Sequence, residues 1–214
     1  MHLAEGVIAS PVMLGGGWLL ASAGVAIGLR QLDETAAMRA AVMSSSFFVA
    51  SLIHIPVFGV SIHLSLTALL GIVLGWAAFP AVFLALVLQA VLFGFGGLTT
   101  LGLNTCIMAT PSVVVYHLFR AFRIQPSARA VPAACGALGA LAIVLGSLIL
   151  AGILSTAGEA FRIVAVTVLA AQIPVMILEG LVTASAAGFL QKVSPELLAG
   201  TLARPADDPT EATP

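Results

Sequence analysis

The first two residues, Met1 and His2, together contain three nitrogens that can bind one metal ion. These are the α-amine of Met1, the amide nitrogen of His2 and Nδ1 of the His2 imidazole. The amine and the amide close a five-membered chelate ring, and the amide and the imidazole close a six-membered ring. A fourth nitrogen would complete a square of donors, which suits Ni(II) or Cu(II) and is attainable for low-spin Co(II). The alternative is that His2 is an ordinary polar residue near a chain end.

Two further histidines, His54 and His63, lie in the segment HIPVFGVSIHL. Pro56 and Gly59 interrupt helical periodicity, so the residues between the histidines are expected to form a loop. His63 opens an apolar helix and is expected to point into the protein, which makes it the first candidate for the fourth nitrogen. His54 is the reserve candidate. A histidine in such a loop can also be solvated or cap a helix, and this alternative fits His54 better than His63.

A glycine-rich stretch, FGFGGLTTLGLNT, covers residues 93–105. Glycines allow another backbone to approach closely, and Thr99, Thr100 and Asn104 can hydrogen-bond a ligand or a backbone group. The alternative is a tight turn between two helices with small packing residues. The stretch lacks the GK[ST] of a phosphate-binding loop.

These candidates must be positioned by apolar elements, because 60% of the 214 residues are apolar and only 8% are charged. Soluble domains carry about 25% charged residues, so a soluble enzyme and a disordered chain are excluded. A membrane-spanning helix needs roughly 20 apolar residues. The composition therefore predicts an all-α polytopic membrane protein in the lipid bilayer. The net charge of −1 offers no basic surface for nucleic acid.

About seven transmembrane helices are predicted, from apolar runs at roughly 11–29, 36–53, 62–78, 80–94, 98–119, 130–155 and 160–190. The third and fourth runs are expected to form a hairpin around Phe79-Pro80, because proline stops a helix from continuing. Cytoplasmic loops carry excess Lys and Arg. An external N-terminus and a cytoplasmic C-terminus place every basic residue except Arg162 on the cytoplasmic side. His2, His54 and His63 then share the external face, whereas His117 lies at the cytoplasmic end of the fifth helix.

Polar residues inside apolar runs are functional candidates by default, and Gln89, Gln172 and Glu179 are the examples here. Glu179 is expected either to face another subunit or to stay protonated. The small residues Gly24 and Gly28 form a GxxxG pattern, which predicts either internal helix packing or a surface for a partner.

Several segments together resemble the CbiM/NikM family, which supplies the substrate-capture components of energy-coupling-factor (ECF) transporters for cobalt and nickel. They are MHLAEGV, VSIHL, GGLTTLGLNT and IPVMILEGLVTASAAGFLQKVSPELL. The resemblance runs over about residues 1–198. It departs around His63, where many cobalt members have GSCSHPTG and this chain has GVSIHLSL.

The resemblance implies a multi-pass protein of the inner (plasma) membrane whose N-terminus inserts into an external metal pocket. It implies metal ligation by Met1, His2 and His63, with His54 and Asn104 at most in supporting positions. Residues 1–194 then form a single transmembrane domain, and the polar, Pro-rich residues 195–214 are expected to be a disordered cytoplasmic tail. No cofactor is expected to be permanently bound, since the Co(II) or Ni(II) ion is the transported ligand.

The resemblance also implies partners: a transmembrane coupling protein, two ATP-binding cassette ATPase subunits and often a small accessory membrane protein. The chain itself has no Walker motif and is not expected to be an enzyme.

The leading hypothesis is import of Co(II), feeding cobalamin biosynthesis. The alternatives are the Ni(II)-specific version of the same transporter and, from a different class, an autonomous metal facilitator. An intramembrane metalloenzyme is disfavoured because no general base accompanies the histidines.

Overall fold

The computed structural model describes residues 2–57, 60–122 and 127–199. The all-α class is confirmed. Besides the helices, the described residues contain one small antiparallel pair of β-strands. In chain order the elements are α1 (Pro11–Leu29), α2 (Glu34–Leu52), β1 (His54–Val57), β2 (Val60–His63), α3 (Thr67–Leu74), a 3₁₀ turn (Gly75–Ala77), α4 (Ala78–Phe93), α5 (Leu101–Ala121), α6 (Ala130–Ser155), α7 (Glu159–Val193) and α8 (Glu196–Ala199).

Six helical segments of the described chain are long and apolar enough to cross a membrane. One of them, Thr67–Phe93, contains α3, the 3₁₀ turn and α4. It corresponds to the third and fourth predicted runs, so the number of passes depends on whether the chain reverses within it.

The chain does reverse between α3 and α4. Gly71 of α3 packs on Ser112, and Gly75, directly after α3, packs on Tyr116, so α3 runs in the same direction as α5. In α4, the order along the helix is opposite to that of α1, because Phe79 packs on Gly24 and Phe83 lies against Trp18. The predicted hairpin is therefore present, and α1–α7 run alternately in opposite directions.

The turn of this hairpin lies at Gly75–Ala77 rather than at Phe79-Pro80. Gly75 has a φ of 58°, a conformation that glycine adopts without strain. Pro80 lies in the first turn of α4, where its missing N–H would have no helical partner in any case. Pro80 therefore lies at the beginning of a helix and does not end one.

The predicted third span, 62–78, is wrong in its extent. Residues 60–63 are the strand β2, and the helix α3 has only 8 residues. A helix of that length is about 12 Å long, against a hydrocarbon thickness of about 30 Å. Since Ser65 and Thr67 are each 1% exposed, α3 begins inside the bundle and not at its surface.

The two ends of the bundle differ in their chemistry. One end, called here the histidine end, contains His2, His63 and the 94–100 segment. The opposite, arginine end is marked by residues at the ends of α1, α5, α6 and α7: Arg30, Arg120, Arg129 and Lys192. The His117 ring lies 6.3 Å from Trp76 of the 3₁₀ turn, also at the arginine end. The predicted separation of His117 from the other histidines is confirmed, and the positive-inside rule predicts that the arginine end is cytoplasmic.

Helix α5 occupies the centre of the bundle and packs on α1, α3, α4 and α6. A helix with neighbours on most sides is buried around most of its circumference, and Asn104, Thr105 and Ser112 are accordingly enclosed. The GxxxG pattern of α1 is internal packing, because Gly24 faces Phe79 and Gly28 faces the backbone of Trp76.

The predicted tail, 195–214, begins with the short helix α8. Its Leu198 is fully buried in an apolar cluster that includes Phe119 and Ala187. Residues 200–214 lie outside the described residues.

Candidate metal centre

The segment that follows Met1 folds back against the histidine end of the bundle. It has no regular secondary structure before α1, yet Leu3 is 2% exposed and Ile8 is 4% exposed. Burial of these two apolar side chains anchors the segment. His2, which comes directly before Leu3, is therefore held near the bundle interior.

Asn104 of α5 binds both polar backbone groups of Leu3, the N–H and the carbonyl. Its Oδ1 accepts a hydrogen bond from the Leu3 N–H at 2.8 Å, and its Nδ2 donates to the Leu3 carbonyl at 3.1 Å. The Thr100 hydroxyl, one helical turn away, donates to the same carbonyl at 3.0 Å. These groups satisfy backbone atoms that would be costly to bury alone. Asn104 thus lies where a supporting residue for His2 is expected.

Glu5 forms a second attachment between the N-terminal segment and the 94–100 segment. Its carboxylate accepts hydrogen bonds from the hydroxyl and from the backbone N–H of Thr99, and its own N–H donates to the Gly96 carbonyl at 3.1 Å. A Cβ on Gly97 would collide with the Glu5 carboxylate, so this approach requires glycine. The sequence pattern does not predict this role of Glu5, although Glu5 lies in the MHLAEGV motif and is an acid in a charge-poor chain.

The imidazoles of His2 and His63 stack on each other, with ring centroids 4.8 Å apart and planes 20° apart. His63 is 5% exposed, and His2 is half-buried. A metal–imidazole nitrogen bond is about 2 Å long, so two rings this close can share one ion. The structure thereby brings together two of the predicted ligands that are 61 positions apart in sequence.

The orientation of the His63 ring is fixed by the backbone of the next residue, Leu64. Nδ1 lies 3.1 Å from the carbonyl oxygen of Leu64. A proton on Nδ1 donates to this carbonyl, and Nε2 then carries the lone pair. Metal-binding histidines usually have this arrangement, with one nitrogen donating to a carbonyl or carboxylate and the other binding the ion.

His63 does not open a helix, as the sequence predicted, but ends strand β2. The predicted loop between His54 and His63 is an antiparallel hairpin, and its register pairs His54 directly with His63. The side chain of His54 lies outside the described part of the chain. Met1 also lies outside the described residues.

Within the described residues, no group of three or more His, Cys, Asp or Glu side chains is arranged to hold a metal. His2 and His63 supply two side-chain nitrogens at the histidine end, so a four-nitrogen site here would need main-chain donors as well. The α-amine of Met1 and the amide of His2 are donors of this kind, and they are the ones that the chelate requires.

Residues 2–197 match the sequence model of a family described as the cobalt uptake substrate-specific transmembrane region, CbiM. The chain belongs to the CbiM family. A Haemophilus influenzae protein with a general metal-transport description is 39% identical over 92% of this chain and 97% of its own length. The cobalt transport protein CbiM of Clostridium tetani is 33% identical over 90% of this chain and 85% of its own length.

A solved structure confirms the fold independently. The crystal structure of a transition metal transporter superposes with a TM-score of 0.76, covering 94% of this chain and 97% of its own, at 23% identity. Membership of the CbiM family and the apolar helices identify the chain as a multi-pass membrane component of cobalt or nickel transport in the inner membrane. As a transporter component it is not an enzyme by itself.

Proposed function

We propose that this protein captures Co(II) for an ECF-type ABC transporter. The proposed ligands are the α-amine of Met1, the amide nitrogen and Nδ1 of His2, and Nε2 of His63. The observation that carries the proposal is the stacking of the half-buried His2 ring on the buried His63 ring, with ring centroids 4.8 Å apart.

The attachment of the N-terminal segment supports this assignment. Asn104 binds both polar backbone groups of Leu3, and Thr99 binds Glu5. Because His2 precedes Leu3 directly, these contacts hold His2 in place before the ion arrives. A ligand set that is ordered in advance loses less conformational freedom on binding and therefore binds more tightly.

Cobalt is the first choice of metal because the family is described by cobalt uptake. Nickel is the second candidate, since a near-planar set of four nitrogens suits Ni(II) at least as well as Co(II). The imported cobalt would supply cobalamin biosynthesis.

The proposed partners are a transmembrane coupling protein, two ATP-binding cassette ATPase subunits and a small accessory membrane protein. Membership of the CbiM family supports assembly into a membrane transport complex. ATP hydrolysis then takes place in the ATPase subunits. The metal is cargo, and no permanently bound cofactor is proposed.

The test of metal capture is elemental analysis of the purified protein after Co(II) and Ni(II) are offered in competition. The protein should begin at Met1 and carry its affinity tag at the C-terminus. We expect about one metal ion per chain, with cobalt in excess. A metal-free wild-type protein would contradict the proposal, and an excess of nickel would select the nickel transporter instead.

A second experiment distinguishes a transporter subunit from an autonomous facilitator. Metal uptake is measured in cells that express this chain with and without its coupling protein and ATPases, and again after ATP depletion. Uptake that needs the partners and ATP supports the proposal. Equal uptake by the chain alone would identify a facilitator.

A further inference from the structure

Glu179 is a fully buried acid in the middle of α7. Since it is 0% exposed within this single chain, the expectation that it faces another subunit is wrong. An acid at this position is costly in a membrane protein unless polar groups surround it. The groups that surround Glu179 belong to the segment between His63 and α3.

Oε2 of Glu179 accepts a hydrogen bond from the backbone N–H of Ser65 at 3.0 Å. The carboxyl group also lies against the N–H groups of Leu66 and Thr67, at the start of α3. The first N–H groups of a helix have no partner within the helix, and α3 has no side-chain cap of its own. Glu179 therefore caps α3 from a different helix.

The Ser65 N–H and the Leu64 carbonyl belong to the same peptide group. This peptide donates to Glu179 through its N–H and accepts from Nδ1 of His63 through its carbonyl oxygen, at 3.1 Å. One planar, rigid unit thus connects the buried acid to the imidazole. Hydrogen bonds in such a chain polarise one another, so a bond to the N–H makes the carbonyl a stronger acceptor.

The backbone next to this peptide is strained. Leu66 has a φ of 50°, the one positive value at a non-glycine residue among the described residues. Residues hold such a conformation when their surroundings determine it, and such strain clusters at functional sites. Here the surroundings include the Glu179 carboxyl, which binds the backbone on the N-terminal side of Leu66.

We propose that Glu179 is a positioning residue for the metal site and acts on His63 through the Leu64–Ser65 peptide. It holds the peptide so that the Leu64 carbonyl accepts from Nδ1, which fixes the ring and strengthens Nε2 as a donor to the metal. The inference rests on the proposed function, because it assigns Glu179 a part in metal binding by His63.

The experiment compares Glu179→Gln with the wild type in the full-length protein, with a native Met1 and a C-terminal tag. Ni(II) or Co(II) chloride is the probe. The readouts are the dissociation constant by chelator competition and the visible d–d absorption bands of the bound ion, which report the strength of its ligands. Glutamine has the same shape but offers one acceptor oxygen in place of two, and its NH₂ group cannot accept from the backbone N–H groups, so we expect affinity to fall by about 10–100-fold and the d–d bands to shift.

Thr183→Val is the matched control, because Thr183 lies one turn further along α7 and is also fully buried. Its hydroxyl has no hydrogen-bond partner within the described residues, so the control should keep wild-type affinity and bands. Glu179→Asp retains the carboxyl group on a shorter side chain and should fall between the wild type and Glu179→Gln. Wild-type affinity and bands in Glu179→Gln would overturn the proposal.

A measurement on the metal-free wild type covers the case in which the Glu179 variants do not fold. In a ¹⁵N NMR spectrum of histidine-labelled protein, the signals lost in His63→Ala identify the His63 ring. We expect the proton on Nδ1, and a proton on Nε2 would overturn the proposal. Failure of the proposed function looks different: the wild type would bind no metal, or His63→Ala would bind it normally.

Discussion

Asn104 binds Leu3 through both backbone groups of that residue, accepting from its N–H at 2.8 Å and donating to its carbonyl at 3.1 Å. The two residues are 101 positions apart, and Asn104 lies on α5, which packs on four other helices. The side-chain amide of Asn104 therefore makes the same pair of hydrogen bonds with Leu3 that the backbone of a neighbouring β-strand would make. The position of His2 depends in this way on a residue of α5 that does not itself bind metal.

Asn104→Ala should weaken metal binding because it removes both of these hydrogen bonds. A buried backbone group left without a partner costs about 1–3 kcal/mol, and loss of a supporting residue lowers metal affinity about 10–100-fold. Affinity is measured by chelator competition, and stability by thermal unfolding of the metal-free protein. Thr105→Val is the control, since the Thr105 hydroxyl bonds within α5 to the Leu101 carbonyl. Equal losses in both variants would contradict the specific role of Asn104.

Gly97→Ala should detach the N-terminal segment from the 94–100 segment. The new methyl group would occupy the place of the Glu5 carboxylate, so the hydrogen bonds from Thr99 would be lost. We expect faster hydrogen exchange in residues 2–9 and lower metal retention. Gly16→Ala is the control because its methyl group would meet no atom within 4 Å. Unchanged exchange in Gly97→Ala would show that Glu5 does not hold the segment.

The sequence predicted the meeting of His2 and His63 for a physical reason. Basic residues determine which ends of the helices are cytoplasmic, and the resulting order of helices places both histidines at one end. The order of the helices does not by itself predict that the two imidazole rings touch. The bond between Glu5 and Thr99 spans 94 positions and depends on how the 94–100 segment folds, which no local pattern in the sequence encodes.

The third apolar run shows a second limit of sequence reasoning. Residues 62–78 are apolar almost throughout, and hydropathy does not distinguish a buried strand from a buried helix. The strand ends at His63 and the helix begins at Thr67. What separates them is the strained backbone of Leu66 and the cap from Glu179, and both are set by the packing of α7 against this segment.

His63→Ala should remove most metal binding, whereas His117→Ala should leave it near the wild-type level. His63 lies against His2, but His117 lies beside Trp76 and Tyr116 at the arginine end. Metal content after gel filtration measures the effect. Equal losses in the two variants would indicate general misfolding, and normal retention in His63→Ala would remove it from the ligand set.

Metal affinity should fall as the pH falls, because protons compete for the same nitrogens. The reference pKa is about 7.7–8.0 for an α-amine and about 6.5 for an imidazole. The loss should therefore begin near neutral pH and steepen at lower pH, because every ligand nitrogen that takes up a proton is no longer available to the metal. In His63→Ala, the residual binding should release one proton fewer per metal ion. This is measured as a shallower slope of log affinity against pH. A pH-independent affinity between pH 8 and pH 5.5 would contradict nitrogen ligation.

An extension ahead of Met1 should abolish metal binding, and this is the most direct test of the α-amine as a ligand. A flexible Gly/Ser extension converts the amine into an amide and moves the new amine away from His2. A C-terminal extension adds residues beyond α8 and should be tolerated, because α8 follows α7 on the side away from His2.

The decisive control is a removable N-terminal fusion whose cleavage leaves Met1 as the first residue. Binding should be absent before cleavage and present afterwards in the same preparation, as measured by chelator competition with Ni(II) or Co(II). The cleaved and uncleaved proteins share every other residue, so a difference between them can come only from the N-terminus. If the uncleaved protein is correctly inserted and binds metal as tightly as the cleaved one, the amine is not a ligand and the chelate of Met1 and His2 must be abandoned.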